Sequence, residues 1–180
     1  DEFLAQGKAP IVFTQSSVTL DAVEFFRVSV QAAQILGRRA VLLTPHGEQI
    51  PRPLPDGVRH FSYVPLERLL PRSALHVHHG GIGTIAESLL AGVPQLTVAM
   101  VNDQMDNSLR LRRLGCSGYL KPSEYQPQRV RQEIERLLTS ADVRARCDQL
   151  AERVRSSDAL QVACDAIERL PAQAASPARS

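Results

Sequence analysis

The sequence has 180 residues, of which 43% are hydrophobic and 22% charged, and its formal net charge is +2. This composition is typical of a globular chain with one packed core, and so small a charge gives no reason to expect nucleic-acid binding. No apolar run has the length of a membrane-spanning helix, and Cys116, Cys147 and Cys164 are not spaced as metal ligands. We therefore expect a cytoplasmic protein with reduced, buried or half-buried thiols.

Short apolar runs alternate with segments of helical periodicity along most of the chain. After a polar lead-in at 1–9, strands are predicted at 11–14, 39–44, 58–64, 74–78, 95–99 and 117–120. Helices are predicted at about 20–36, 65–70, 104–114, 127–139, 141–155 and 157–169, with a further helical run ending at Ala91. Residues 171–180 have the composition of a disordered tail.

The predicted strands are apolar without alternation, which is typical of a parallel sheet covered by helices on both faces. The sequence therefore predicts an α/β, Rossmann-like, doubly wound domain over residues 1–170, with about six strands and C-terminal helices. Ligands of such sheets bind beyond the carboxyl ends of the strands, near the point where the strand order reverses.

A glycine-rich turn follows the fourth predicted strand. Two histidines, His78 and His79, precede Gly80 and Gly81, and a helix ending near Gly92 comes next. A strand, a glycine turn and a helix in this order leave backbone N–H groups free at a positive helix terminus, which favours a phosphate. His76 is interpreted as a structural residue of the strand, and His78 as support for the turn.

Three motifs occur in succession around this turn: His79-x-Gly81-x-x-Thr84-x-x-Glu87, then Gly92-Val93-Pro94, then Asp103-Gln104-x-x-Asn107. In these motifs the chain resembles the C-terminal, donor-binding half of GT-B glycosyltransferases of the UDP-glycosyltransferase type (family 1). The doubled histidine is similar to that of the bacterial natural-product and macrolide enzymes.

The resemblance implies a site for a nucleotide-sugar donor, bound without a metal ion or other cofactor. It implies diphosphate contacts from the first turn and the glycine turn, a ribose contact from Glu87, and sugar contacts from Asp103 and Gln104. The diphosphate residues are His79, Gly80, Gly81, Gly83, Thr84 and Ser17. Tyr63 aligns with the base-stacking tryptophan of the plant enzymes, and Val64 would offer backbone hydrogen bonds to the base. Asp103 is also a candidate N-cap of the following helix.

The resemblance further implies an inverting transfer of a hexose, from a UDP- or TDP-sugar, to a hydroxyl of a small lipophilic acceptor. Full-length enzymes of this type carry an N-terminal acceptor-binding domain that supplies the general base, and that domain is absent from this sequence. We therefore expect no catalytic residue in this chain, no turnover by it alone, and self-association through an exposed former domain interface. The alternatives are a partner-subunit or non-catalytic nucleotide-binding module, and half of a lipid-II-forming N-acetylglucosaminyltransferase.

Overall fold

The computed structural model describes residues 2–15, 22–101 and 103–169. Within these ranges six parallel strands form one sheet: β1 Ile11–Thr14, β2 Ala40–Leu43, β3 Val58–Phe61, β4 Leu75–His78, β5 Gln95–Val98 and β6 Ser117–Leu120. Their order is β3-β2-β1-β4-β5-β6. The chain therefore returns to the centre of the sheet after β3, and β4 pairs with β1. The predicted doubly wound, Rossmann-like α/β fold is confirmed.

Helices connect the strands and cover the sheet. They are α1 Glu2–Ala5, α2 Val23–Ile35, α3 Leu66–Leu69, α4 Ile82–Ala91, α5 Gln104–Arg113, α6 Pro127–Thr139, α7 Ala141–Arg155 and α8 Ala159–Glu168. Short 3₁₀ helices occur at Gly47–Gln49, Leu70–Arg72 and Pro122–Glu124. No helix in the described part of the chain is both long and apolar enough to cross a membrane.

Strand side chains alternate between two apolar layers. Ile11 and Phe13 of β1 belong to the larger cluster, which contains the buried faces of α2 and α6. Val12 belongs to a smaller cluster on the other face, together with Leu69 and Val93. Burial on both faces explains why the strands are apolar throughout, and it fixes the sheet as a rigid platform for the loops at its carboxyl end.

Two segments differ from the prediction. The polar lead-in contains a short helix, α1, whose Phe3 lies under the Arg39 guanidinium at 4.1 Å from the ring centroid. Strand β3 ends at Phe61, although 58–64 was predicted. The last ladder bond runs from the Thr44 N–H to the Phe61 carbonyl at 3.2 Å, after which the His46 N–H donates to Thr44 Oγ1 and the Thr44 carbonyl lies 2.9 Å from His60 Nε2. The residues up to Val64 therefore form a loop at the carboxyl edge of the sheet.

The cysteine prediction is only partly right. Cys116 and Cys147 are buried free thiols, but Cys164 is exposed on α8, because no residue of that helix is buried. The predicted tail at 171–180 and the predicted site residue Ser17 lie outside the described residues.

Candidate functional site

A cleft of about 520 Å³ opens at the carboxyl ends of β1 and β4, where the strand order reverses. Its walls are the ends of β1 and β2, the loop after β3 and the first turns of α4. It is lined by Thr14, Gln15, Leu43, Thr44, Pro45, Ser62, Tyr63, Val64, Pro65, Leu66, His79, Thr84 and Glu87. Five predicted residues, Tyr63, Val64, His79, Thr84 and Glu87, thus share this cavity.

Helix α4 presents its N-terminus to the cleft. Gly81 is the N-cap residue, and the first intrahelical hydrogen bond runs from the Ile85 N–H to the Gly81 carbonyl at 3.0 Å. The N–H groups of Ile82, Gly83 and Thr84 therefore have no carbonyl of a preceding turn to bond. They concentrate the positive end of the helix dipole beside Thr84, which suits an anion.

The two glycines of the turn have different roles. Gly80 has φ +89°, and a Cβ there would lie 2.6 Å from the Ser108 hydroxyl oxygen. Its N–H donates to His78 Nδ1 at 3.1 Å, so direct donation to a diphosphate would require this bond to break. A Cβ on Gly81 would lie 2.5 Å from His79 Nε2. Gly80 thus shapes the turn, and Gly81 leaves room for the imidazole.

His79 is half-buried at the end of β4 and lines the cleft. Burial lowers the pKa of His79, while the negative charge of Asp103 acts in the opposite direction. The imidazole is therefore mainly neutral at pH 7 and carries one N–H. Its Nδ1 is buried without a hydrogen-bond partner among the described residues. Because Nδ1 is buried, a hydrogen bond from this ring to a ligand in the cleft would be formed by Nε2.

The loop after β5 is tied to the glycine turn. Gln104 is buried, and its Oε1 accepts hydrogen bonds from the N–H groups of Met100 at 2.9 Å and Val101 at 3.2 Å. Asn107 Nδ2 donates to Asp103 Oδ2 at 2.7 Å and to the Gly80 carbonyl at 3.3 Å. These bonds hold the first turn of α5 against the glycine turn.

Asp103 and Gln104 do not line the cleft itself. Asp103 occupies the N-cap position of α5, but its side chain makes no capping hydrogen bond. Its carboxylate is exposed and bonded to Asn107, so one face remains open to a ligand. The Gln104 amide oxygen is already engaged by two backbone N–H groups, and only its NH₂ group remains as a donor.

Tyr63 extends from the loop after β3, with 78% of its surface exposed. Val64 is half-buried in the same loop and packs against the smaller apolar cluster. An exposed aromatic ring on an anchored loop is suited to stacking on a flat group. Glu87 lies on α4, beyond Thr84, in the same cavity.

The sequence places the polar turn that begins at Thr14 on this rim, but sequence reasoning assigned no role to the strand-end residues of the cleft, Thr14 and Thr44. Each is the polar residue that follows a buried apolar run, and parallel strands end at a common edge. That regularity is the signal by which they could have been found. Among the described residues, no group of three or more metal-ligating side chains is close enough to hold an ion.

Comparison with known protein families matches residues 36–169 to the family described as erythromycin biosynthesis protein CIII-like, C-terminal domain. Among curated relatives, the aklavinone 7-beta-L-rhodosaminyltransferase of Streptomyces galilaeus is 33% identical over 156 residues. These residues cover 87% of this chain and 33% of that protein, so the chain spans about a third of the relative's length.

Two solved structures have the same fold. The glycotransferase of kitacinnamycin has a TM-score of 0.81 and 27% identity, over 92% of this chain and 44% of that chain. The glycosyltransferase VinC, solved in complex with DTDP, has a TM-score of 0.78 and 25% identity, over 94% of this chain and 43% of that chain. The motif resemblance is confirmed: this chain belongs to the erythromycin biosynthesis protein CIII-like C-terminal domain family, within the bacterial natural-product glycosyltransferases of GT-B fold.

Proposed function

We propose that this chain is the donor-binding half of an inverting, metal-independent glycosyltransferase. The enzyme would transfer a hexose from a UDP- or TDP-sugar to a hydroxyl of a small lipophilic acceptor. One observation carries the proposal: a single cleft joins the N-terminus of α4, a neutral histidine, a carboxylate and an exposed aromatic ring. The helix N-terminus and the histidine suit the diphosphate. The carboxylate suits the ribose hydroxyls, and the aromatic ring suits the base.

The chemistry of the donor explains this arrangement. As the glycosidic bond breaks, negative charge grows on the leaving diphosphate. The N–H groups at the start of α4 and the His79 N–H would stabilise that charge, with the Thr84 hydroxyl as a further donor. Fixed donors and a helix dipole can perform this role without a metal ion. Asp103 and Gln104 would contact the sugar from the neighbouring loop.

The identity of the nucleotide base is the most specific part of the proposal. VinC was solved with DTDP, and another curated relative, 32% identical over 128 residues, is named as the TDP-daunosamine transferase of Streptomyces peucetius. Both favour a TDP-sugar over a UDP-sugar for this chain. Calorimetric titration of the 180-residue chain with TDP, UDP and GDP tests this, with TDP expected to bind most tightly. Preferential binding of GDP would contradict the assignment of the base site.

Glu87 offers the sharpest test of the site. Replacing Glu87 by Gln removes a charged acceptor of ribose hydroxyl hydrogen bonds, so we expect the Kd for TDP to rise roughly tenfold or more. The matched control is Glu152→Gln on α7, an exposed carboxylate that does not line the cleft, which should bind TDP as the unaltered chain does. Equal affinities of the two variants would remove Glu87 from the ribose site.

The general base and the acceptor pocket would lie in the part of the relatives that this chain does not match. We therefore expect no glycosyl transfer by the 180-residue chain with any donor, and turnover by it would overturn this part of the proposal. If the acceptor half is instead a separate subunit, adding that subunit in trans would restore transfer. The lipid-II alternative is not favoured, because the curated relative reported above is named for a natural-product acceptor.

An apolar rim beside the cleft supports a partner surface. Ile82, Met100, Val101 and Met105 are all exposed and lie at the carboxyl edge of the sheet. We propose that the acceptor-binding half covers this rim, and that the isolated chain self-associates through it. Sedimentation analysis should show reversible dimers that weaken in a Val101→Ser variant. We also propose a cytoplasmic location for the enzyme, because buried free thiols such as Cys116 and Cys147 are typical of reducing compartments.

A further inference from the structure

The middle of β4 carries a fully buried imidazole that is hydrogen-bonded at both ring nitrogens. His76 Nε2 lies 2.8 Å from Thr14 Oγ1, and His76 Nδ1 lies 2.8 Å from Ser88 Oγ. Ser88 Oγ in turn lies 2.8 Å from the Thr84 carbonyl oxygen, one turn earlier in α4. The three contacts form one chain from the end of β1 to the first turn of α4.

The proton positions in this chain follow from its geometry. A carbonyl oxygen can only accept, so the Ser88 hydroxyl donates its one proton to the Thr84 carbonyl. His76 must then donate to Ser88 through Nδ1–H. Burial lowers the pKa of His76 well below its usual value, which keeps the ring neutral with this single proton. Nε2 is therefore an acceptor, and the Thr14 hydroxyl donates to it.

The neighbouring histidine has the opposite tautomer. The Gly80 N–H donates to His78 Nδ1, so the proton of a neutral His78 is on Nε2 and is donated to Gln95 Oε1 at 2.9 Å. The two rings lie 4.6 Å apart, centroid to centroid, on the same strand. The tautomer of His78 is fixed directly by the Gly80 N–H, which can only donate. The tautomer of His76 is fixed through Ser88, whose hydroxyl donates to the Thr84 carbonyl, which can only accept.

The chain of hydrogen bonds has a consequence in the cleft. Thr14 is 7% exposed and forms part of the cleft lining. Because its proton is committed to His76, the Thr14 oxygen can only accept a hydrogen bond from a ligand. The polar groups of the cleft thus fall into hydrogen-bond donors and hydrogen-bond acceptors. The N–H groups of α4 and His79 donate, whereas Thr14 and the Glu87 carboxylate accept.

We propose that His76 is a positioning residue that makes the Thr14 hydroxyl an acceptor-only group of the donor cleft, selecting a ligand hydroxyl or amine and rejecting a phosphate oxygen at that point. His76 contacts no ligand itself, since it has no exposed surface. The nature of the ligand, a nucleotide sugar, rests on the function proposed above. The tautomer of His76 does not rest on it.

The first test is the nitrogen-15 NMR spectrum of the imidazoles in the labelled 180-residue chain without ligand. The expected result is a protonated Nδ1 and an unprotonated Nε2 for His76, with the reverse pattern for His78. A protonated Nε2 on His76 would overturn the inference, because Thr14 would then keep its own proton for a ligand.

The second test compares the binding of TDP and TDP-glucose by calorimetry. Thr14→Val keeps the shape of the side chain but removes the acceptor, and its Kd for at least one of these probes should rise about three- to tenfold. Thr14→Ser keeps the hydroxyl and should bind both probes with the Kd of the unaltered chain. His76→Asn retains a donor to Ser88 but no longer accepts the Thr14 proton. Because both substitutions act on the same hydroxyl, the increase in Kd caused by His76→Asn should not add to the increase caused by Thr14→Val in the double variant.

The outcomes separate the two proposals. If the unaltered chain binds neither probe, the proposed function fails, and the ligand part of this inference fails with it. If the unaltered chain binds and Thr14→Val binds both probes equally well, only the inference about Thr14 fails. Additive losses in the double variant would show that His76 acts on binding by a route other than Thr14.

Discussion

The two buried histidines of β4 predict how stability depends on pH. Burial lowers the pKa of His78 from 6.5 to about 3, and it lowers the pKa of His76 in the same direction. Below pH 6.5 the unfolded chain therefore binds protons that the folded chain does not. Their contribution to stability is complete above the unfolded pKa and is lost as the pH falls towards the folded pKa.

The size of the effect follows from the unfolded pKa alone, provided that both rings stay neutral in the folded protein down to pH 5. Each pKa unit corresponds to about 1.4 kcal/mol, so going from pH 7 to pH 5 should lower the free energy of unfolding by about 2 kcal/mol per histidine. Together His76 and His78 account for about 4 kcal/mol, a large share of the roughly 5–15 kcal/mol that stabilises a typical domain.

Urea denaturation at several pH values measures this dependence. The comparison variant is His78→Asn, whose side-chain oxygen can still accept from the Gly80 N–H but cannot titrate in this range. Its loss between pH 7 and pH 5 should be smaller than that of the unaltered chain by about 2 kcal/mol, whatever its stability at pH 7. Parallel curves for the two proteins would refute the reasoning, because His78 would then titrate equally in both states.

Three further predictions concern residues around the site and the core. Gly80→Ala should lower the free energy of unfolding by about 1–3 kcal/mol, because a Cβ at φ +89° would meet Ser108, whereas Gly83→Ala, with open space around it, should be close to neutral in denaturation curves. Gly81→Ala should leave stability nearly unchanged but displace the His79 ring, raising the Kd for TDP roughly tenfold or more; unchanged affinity would argue against His79 as a phosphate ligand. Tyr125→Phe should cost about 1 kcal/mol in urea denaturation, since it removes the 2.8 Å hydrogen bond to Ser29, while Ser29 keeps its bond to the Phe25 carbonyl; a cost above about 3 kcal/mol would mean that the ring repacks.

The accuracy of the predicted fold varies with how local the signals are. Helices α6 and α7 have the predicted bounds because Pro127 begins one and Ser140 caps the other, accepting a hydrogen bond from the Val143 N–H. Helix α1 was missed, since four residues carry little periodicity of their own and Phe3 is held by Arg39, which is distant in sequence. The end of β3 depended on its neighbour in the sheet, which the sequence does not reveal.

For the candidate site, too, the sequence predicted what depends on nearby residues and not what depends on distant ones. Motif spacing predicted the residues that share the cleft, because His79, Thr84 and Glu87 belong to one turn and one helix. It could not show that Thr14 meets His76, 62 positions later, since that contact exists only because β1 and β4 are neighbours in the sheet. Nor could it show that the Gln104 side chain is engaged by backbone groups.

The ties between the glycine turn and the start of α5 bear on the thermodynamics of recognition. Asn107 joins Asp103 to Gly80, and Gln104 holds the backbone at Met100 and Val101. The conformational entropy of the residues joined by these bonds is therefore already reduced in the unliganded protein, and a ligand does not have to order them. Binding at this rim should accordingly carry a small entropic penalty, and affinity should depend mainly on the contacts that the ligand makes.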